Sequence, residues 1–166
     1  MKSQRTTGAP VAIDDLDRRI LRALDDEPDL TNKALAHRLG LAESTCAYRV
    51  RALREADVVT ARRLGLNPRA LGFPLQAVIK VRLGSHGAAH VNKLYDDLTR
   101  APGVIQVFHV AGEDDFHLHV AVQDAEALRD FVLRHITVHR VVRGTETQLV
   151  FGHRDGAGVL PLLAGD

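Results

Sequence analysis

From Ile13 the hydrophobic positions first follow a helical period. Leu16, Ile20 and Leu24, with Leu21 beside them, recur behind Asp14, a good N-cap residue, and predict a helix to about Glu27 that stops before Pro28. Thr31 caps a second, shorter helix carrying Ala34, Leu35 and Leu39, and Gly40 ends it by taking left-handed backbone. A third helix follows from about Glu43 to Ala56. On a wheel of about 100° per residue its Cys46, Val50 and Leu53 form a narrow apolar stripe. Ser44, Tyr48, Arg51 and Glu55 line the opposite face, with Thr45 and Arg49 on its flank. Three helices, the last two joined by a glycine corner, outline a helix-turn-helix.

The pattern then changes period. Val58-Val59-Thr60 continues through Arg62, Arg63 and Leu64 to Asn67-Pro68, predicting a basic strand followed by a turn. Leu75, Ala77, Ile79, Val81 and Leu83 alternate with Gln76, Lys80 and Arg82, a half-buried strand. A helix near Ala89 to Arg100 stops at Pro102-Gly103. The strands Val104 to Ala111 and Phe116 to Val122 flank the acidic turn Gly112-Glu113-Asp114-Asp115. Asp124 caps a helix with Leu128, Phe131, Val132 and Ile136, and a last strand spans about Val141 to Phe151. The order β-α-β-β-α-β is that of a ferredoxin-like unit with both helices on one face of a four-stranded antiparallel sheet. The fold class is therefore α+β, a three-helix, winged helix-turn-helix joined to a ferredoxin-like domain. We divide it into a flexible arm (1–12), the helix-turn-helix (13–57), a strand and linker (58–74), the βαββαβ domain (75–152) and a tail (153–166). Val78, Ile105, Val107 and Val150 are expected on the sheet face without helices, an apolar patch suited to twofold pairing with a second copy.

Composition narrows the classes. The 166 residues are 45% apolar and 26% charged, as in ordinary globular domains. No window reaches the roughly 18 apolar residues of a membrane span, and the first dozen residues lack a secretory signal's apolar core, so a cytoplasmic location is expected. The single cysteine, Cys46, excludes an internal disulfide and any thiolate cage, and its place on the apolar stripe favours packing over reactivity. Net charge is only +1, but it is unevenly spread: residues 44–63 hold five arginines against Glu55 and Asp57, whereas residues 25–29 hold four acids. The basic stretch coincides with the third helix and the strand after it. That face carries the hydroxyl and guanidinium groups that read base edges and clamp phosphates. We take Ser44, Thr45, Tyr48, Arg49 and Arg51 as groove contacts, with Arg54, Arg62 and Arg63 on flanking phosphates of double-stranded DNA.

Two other sets of residues carry chemistry. Gly112, Glu113, Asp114 and Asp115 offer carboxylates for an ammonium group together with backbone amides, and Thr145, Thr147 and Gln148 on the last strand add hydrogen-bonding groups. The plain alternative is a hairpin tip kept soluble by its charges. His117 and His119, two apart on one strand, with His109 on the adjoining one, allow a metal-responsive alternative with a zinc or nickel site. Against catalysis, the chain has no glycine-rich phosphate loop, nucleophile elbow or His-Glu-x-x-His pair, and no cofactor is expected.

Taken in order, Leu16-Asp17-Arg18-Arg19-Ile20-Leu21, Leu35-Ala36-His37-Arg38-Leu39-Gly40-Leu41, Arg49-Val50-Arg51-Ala52-Leu53, Leu66-Asn67-Pro68 with Leu71-Gly72, and Gly112-Glu113-Asp114-Asp115-Phe116 make the chain resemble the Lrp/AsnC (leucine-responsive/asparagine, feast/famine) regulators from about Ile13 to Phe151. The resemblance implies a DNA-binding domain and a ligand-binding, oligomerising domain. It implies homodimers that assemble further into tetramers or octamers, with an amino-acid effector held near the acidic hairpin. Many relatives carry a serine cap where this chain has Ala42; here either Ser44 caps one turn later or the third helix starts without a side-chain cap.

Overall fold

The computed structural model describes residues 10–60, 64–85 and 87–163. They form two compact units, one running to Leu64 and rejoined by the segment from Asp155, the other spanning Gly65–Arg154.

The first unit contains helices α1 (Asp15–Asp26), α2 (Asn32–Leu39) and α3 (Glu43–Glu55). Each start follows from its cap. Asp14 accepts the Asp17 N–H at 2.8 Å while the Asp17 carboxylate takes the Asp14 N–H at 3.3 Å, a reciprocal capping box. Thr31 Oγ1 accepts from the Ala34 N–H. Gly40 takes φ +67, and the Leu41 N–H reaches back to the Ala36 carbonyl at 2.9 Å, closing the corner between α2 and α3. Ala42 is the N-cap of α3 and supplies no side-chain bond. Ile20, Leu35, Cys46, Val50 and Leu53 meet in one core. The acidic run is tied down by Arg38, which bonds Glu27 at 2.6 Å and Asp26 at 3.0 Å.

After α3 the sequence expectation fails locally. Val58–Thr60 forms no strand: Asp57 turns at φ +56, the N–H groups of Val58 and Val59 both donate to the Leu53 carbonyl, and the two valines pack on the helical core. Their β-branched side chains are used as a plug on the helices. Arg62 and Arg63 lie outside the described residues. The Asn67-Pro68 turn does form, with the Asn67 side chain accepting from Arg69 N–H and the Phe73 N–H donating to the Pro68 carbonyl.

The second unit is the expected ferredoxin-like arrangement: β1 (Leu75–Leu83), α4 (Ala88–Arg100), β2 (Val104–His109), β3 (Phe116–Val122), α5 (Ala125–His135) and β4 (Val142–Leu149). The sheet is antiparallel throughout, in the order β2-β3-β1-β4. Ala77, Ile79 and Val81 on β1 and Phe116, Leu118 and Val120 on β3 face the helices and bury with Leu94, Leu98, Leu128 and Phe131. The open face carries Gln76, Val78, Lys80 and Arg82 opposite Gln148, Glu146, His119 and His117. It is more polar than the apolar patch expected from the sequence. Val78 and Val150 are half-buried, but Val107 stands opposite Leu118 and packs into the helix-side core, because an irregularity between Val104 and Gln106 reverses the alternation of β2.

Candidate nucleic-acid interface and effector region

The surface of α3 is set by what its other side buries. Cys46, Val50 and Leu53 are at most 4% exposed, so the residues half a turn away must face outward. Burial pushes the Cys46 thiol up, with Glu43 adding to the effect, which keeps it protonated and inert. Ser44, Thr45, Tyr48, Arg51 and Arg54 are all exposed, and a cleft of about 410 Å³ is lined by Asn32, Ser44, Ala47, Tyr48, Arg51 and Arg54. Asn32, in the first turn of α2, was missed by sequence reasoning; the signal was its place directly after the Thr31 cap, where α2 opens toward the start of α3. Arg51 is loosely placed, 3.8 Å from Glu55 and 6.0 Å over the Tyr48 ring.

Arg49 has a different place. Its guanidinium donates to Asp14 at 2.7 Å and to Asp17 at 3.3 Å, fastening α3 to the first turn of α1. Asp17 is buried to 7% exposure and is the one buried charged residue among those described. The Asp17 N–H, and beside it the Arg49 guanidinium, hold the Asp14 carboxyl below the usual carboxylate range. The Arg49 charge is therefore already matched within the unit.

The acidic hairpin is also largely satisfied. Arg82 bonds Glu113 at 3.0 Å and lies 3.7 Å from Asp114. Asp114 also lies 3.3 Å from His117, and Asp115 accepts the Leu83 N–H at 2.7 Å. Gly112 supplies the tight corner at φ +138. Of the three β4 candidates, Thr145 and Thr147 stand opposite Val81 and Ile79 on the helix side, whereas Gln148 stands opposite Val78 on the open face and bonds Glu146 at 2.8 Å. The seven predicted residues thus do not converge on one point. Thr145 shares a sheet row with Val81 and Phe116, at the hairpin end.

The histidine cluster is not formed. His109 pairs with Phe116 in register, so it sits on the helix side, stacked on Phe116 at 4.7 Å and near Tyr95. His117 and His119 are on the open face. His119 bonds Gln76 at 2.8 Å and meets the His153 ring edge-on at 5.6 Å. Among the described residues no group of three metal-ligating side chains is assembled.

A helix-turn-helix with an exposed polar and basic third helix, followed by a separate four-stranded α+β domain, defines a DNA-binding regulator with a ligand-binding module. Comparison with known proteins agrees in both halves. Residues 13–60 match the winged helix-turn-helix DNA-binding family and residues 76–155 the Lrp/AsnC ligand binding domain. The chain is 41% identical over 161 residues to the HTH-type transcriptional regulator AldR of Mycolicibacterium smegmatis, covering 94% of each chain. It is 34% identical to the leucine-responsive regulatory protein of Rhizobium meliloti, covering 84% of this chain and 89% of that one. Among solved structures it resembles a Neisseria meningitidis transcriptional regulator in complex with L-Met (28% identity, TM-score 0.81, 92% and 98% covered). The chain belongs to the Lrp/AsnC family of transcriptional regulators. Its function class is regulation and not catalysis. No described helix is long and apolar enough to cross a membrane.

Proposed function

We propose that the protein is a sequence-specific, amino-acid-responsive regulator that reads duplex DNA with the outer face of α3. In this reading Ser44, Thr45, Tyr48 and Arg51 lie against base edges in the major groove, and Arg54 and Asn32 contact the backbone beside it. Arg62 and Arg63 follow as further phosphate contacts. The observation that carries the assignment is the contrast between two arginines: Arg49 is matched by Asp14 and Asp17, while Arg51 is left 69% exposed with only loose contacts to Glu55 and the Tyr48 ring. Two copies pair through the open sheet face, presenting two α3 helices to half-sites about 34 Å apart or a multiple of it, and pairs of dimers assemble further.

The effector is an amino acid, a reading supported by the L-Met complex of the Neisseria relative and by the hairpin's composition. Because Arg82 already holds Glu113 and Asp114, an amino acid enters by exchange: its carboxylate takes Arg82 and its ammonium takes the exposed Glu113. Effector binding alters regulation to the extent that it prefers one assembly over another. A footprint on DNA flanking the protein's own coding region, repeated with each amino acid added, tests both parts. Protection that one or a few amino acids change supports the reading. Absence of any protected site rejects the DNA assignment, and protection indifferent to every amino acid rejects the effector.

A further inference from the structure

The segment beyond the second unit returns to the first. Gly158 turns through left-handed backbone at φ +68, and a short 3-10 helix, Leu160–Leu163, follows, opened by the Leu162 N–H donating to the Val159 carbonyl at 3.0 Å. A 3-10 helix repeats every three residues, so Leu160 and Leu163 share one side. Both are half-buried against the core built around Ile20, Leu35 and Val50, with α1 as the helix they lie on. Val159 and Leu162 point away, 71% and 81% exposed. The segment is therefore seated by two specific side chains.

We infer that residues 158–163 are a clasp on the DNA-binding domain that sets the position of the recognition helix. The path is physical. Leu160 and Leu163 pack on the side of α1 that meets the core, and the start of α1 carries Asp14 and Asp17, the two carboxylates that hold Arg49 of α3. Loosening the clasp frees the first turn of α1, and with it the anchor of α3. The clasp depends on the DNA-binding reading only for its effect on affinity, not for its effect on α1.

The test uses the full chain carrying Leu160→Ala with Leu163→Ala, and Leu162→Ala as control, read by hydrogen exchange and by affinity for a DNA site enriched from random sequence. The double variant is expected to exchange on the order of tenfold faster in residues 13–24 and 43–55, with residues 75–83 and 116–122 unchanged, and to bind DNA several-fold more weakly. Leu162→Ala matches the parent. Unchanged protection of residues 13–24 in the double variant, or an equal loss in Leu162→Ala, overturns the clasp. So does weaker DNA binding without faster exchange, which leaves the DNA reading standing. A loss of protection on diluting the parent protein places the segment on a second copy and overturns the clasp within one chain. The exchange result decides the inference whether or not the parent binds the DNA chosen.

Discussion

Arg51 and Arg49 stand two residues apart on one helix, and the structure predicts opposite consequences for losing them. Arg51→Ala removes a side chain 69% exposed, whose contacts are Glu55 at 3.8 Å and the Tyr48 ring at 6.0 Å. A pair of that kind contributes about 0.3–0.5 kcal/mol to folding, so the thermal midpoint should hardly move. If the guanidinium reads a base, its removal weakens binding to the enriched site by about 1–3 kcal/mol, or roughly fivefold to 150-fold. The loss should be much smaller on scrambled DNA. Arg49→Ala leaves the buried Asp17 carboxylate without its cation, so it should lower stability first and affect enriched and scrambled DNA alike. Asp17→Asn combined with Arg49→Met should recover part of that stability, since both members of the pair are then neutral. The assay is fluorescence anisotropy on both DNAs at several salt concentrations, alongside thermal unfolding. Equal affinity of Arg51→Ala and parent for the enriched site would refute the assignment. So would Arg49→Ala losing sequence-specific affinity at unchanged stability.

Three further outcomes follow from the same structure. Ala42 has extended cap geometry (φ −66, ψ 140) without a side-chain acceptor, so Ala42→Ser should stabilise the helical unit by about 1 kcal/mol, visible as a higher midpoint in thermal unfolding. Gly103→Ala should destabilise the sheet unit by about 1–3 kcal/mol in denaturant titration, because φ is +89 and a Cβ there meets the Ala121 carbonyl oxygen at 3.0 Å. Burial, and secondarily His153, lowers the pKa of His119 from its ordinary 6.5. The fold thus prefers the neutral ring, and its contribution to stability is complete above about pH 6.5 and declines as pH falls through the lowered value. Urea midpoints between pH 5 and 8 should show that decline, and His119→Gln should flatten it.

What was legible in the sequence was whatever local chemistry dictates. Asp14, Thr31 and Gly40 marked helix ends because caps act within four residues, and the stripe Cys46-Val50-Leu53 fixed the outer face of α3. The order of strands and helices followed from period and turn residues. What failed was non-local or hinged on one residue. The partners of Arg49 lie 32 and 35 residues back, so nothing near Arg49 announces those ion pairs. The irregularity at Ile105 reverses which side of β2 each later residue faces, which moves Val107 and His109 to the helix side of the sheet and dismantles the histidine cluster. Arg82 read as an ordinary strand cation, and only the hairpin's approach to the end of β1 shows that it neutralises Glu113 and Asp114. Leu160 and Leu163 were passed over because a three-residue period over four residues is too short a pattern to stand out; four apolar residues crowded around Pro161 between Gly158 and Ala164 were the available signal.

Entry of the outer face of α3 into the major groove can be read by methylation interference on an enriched site. Guanine N7 lies in the major groove and adenine N3 in the minor groove. N7 methylation is expected to block binding within two half-sites about one helical turn apart or a multiple of it, and Arg51→Ala to become indifferent to one of those guanines in each half-site. Binding that tolerates N7 methylation throughout and is blocked by methylation at adenine N3 would contradict it.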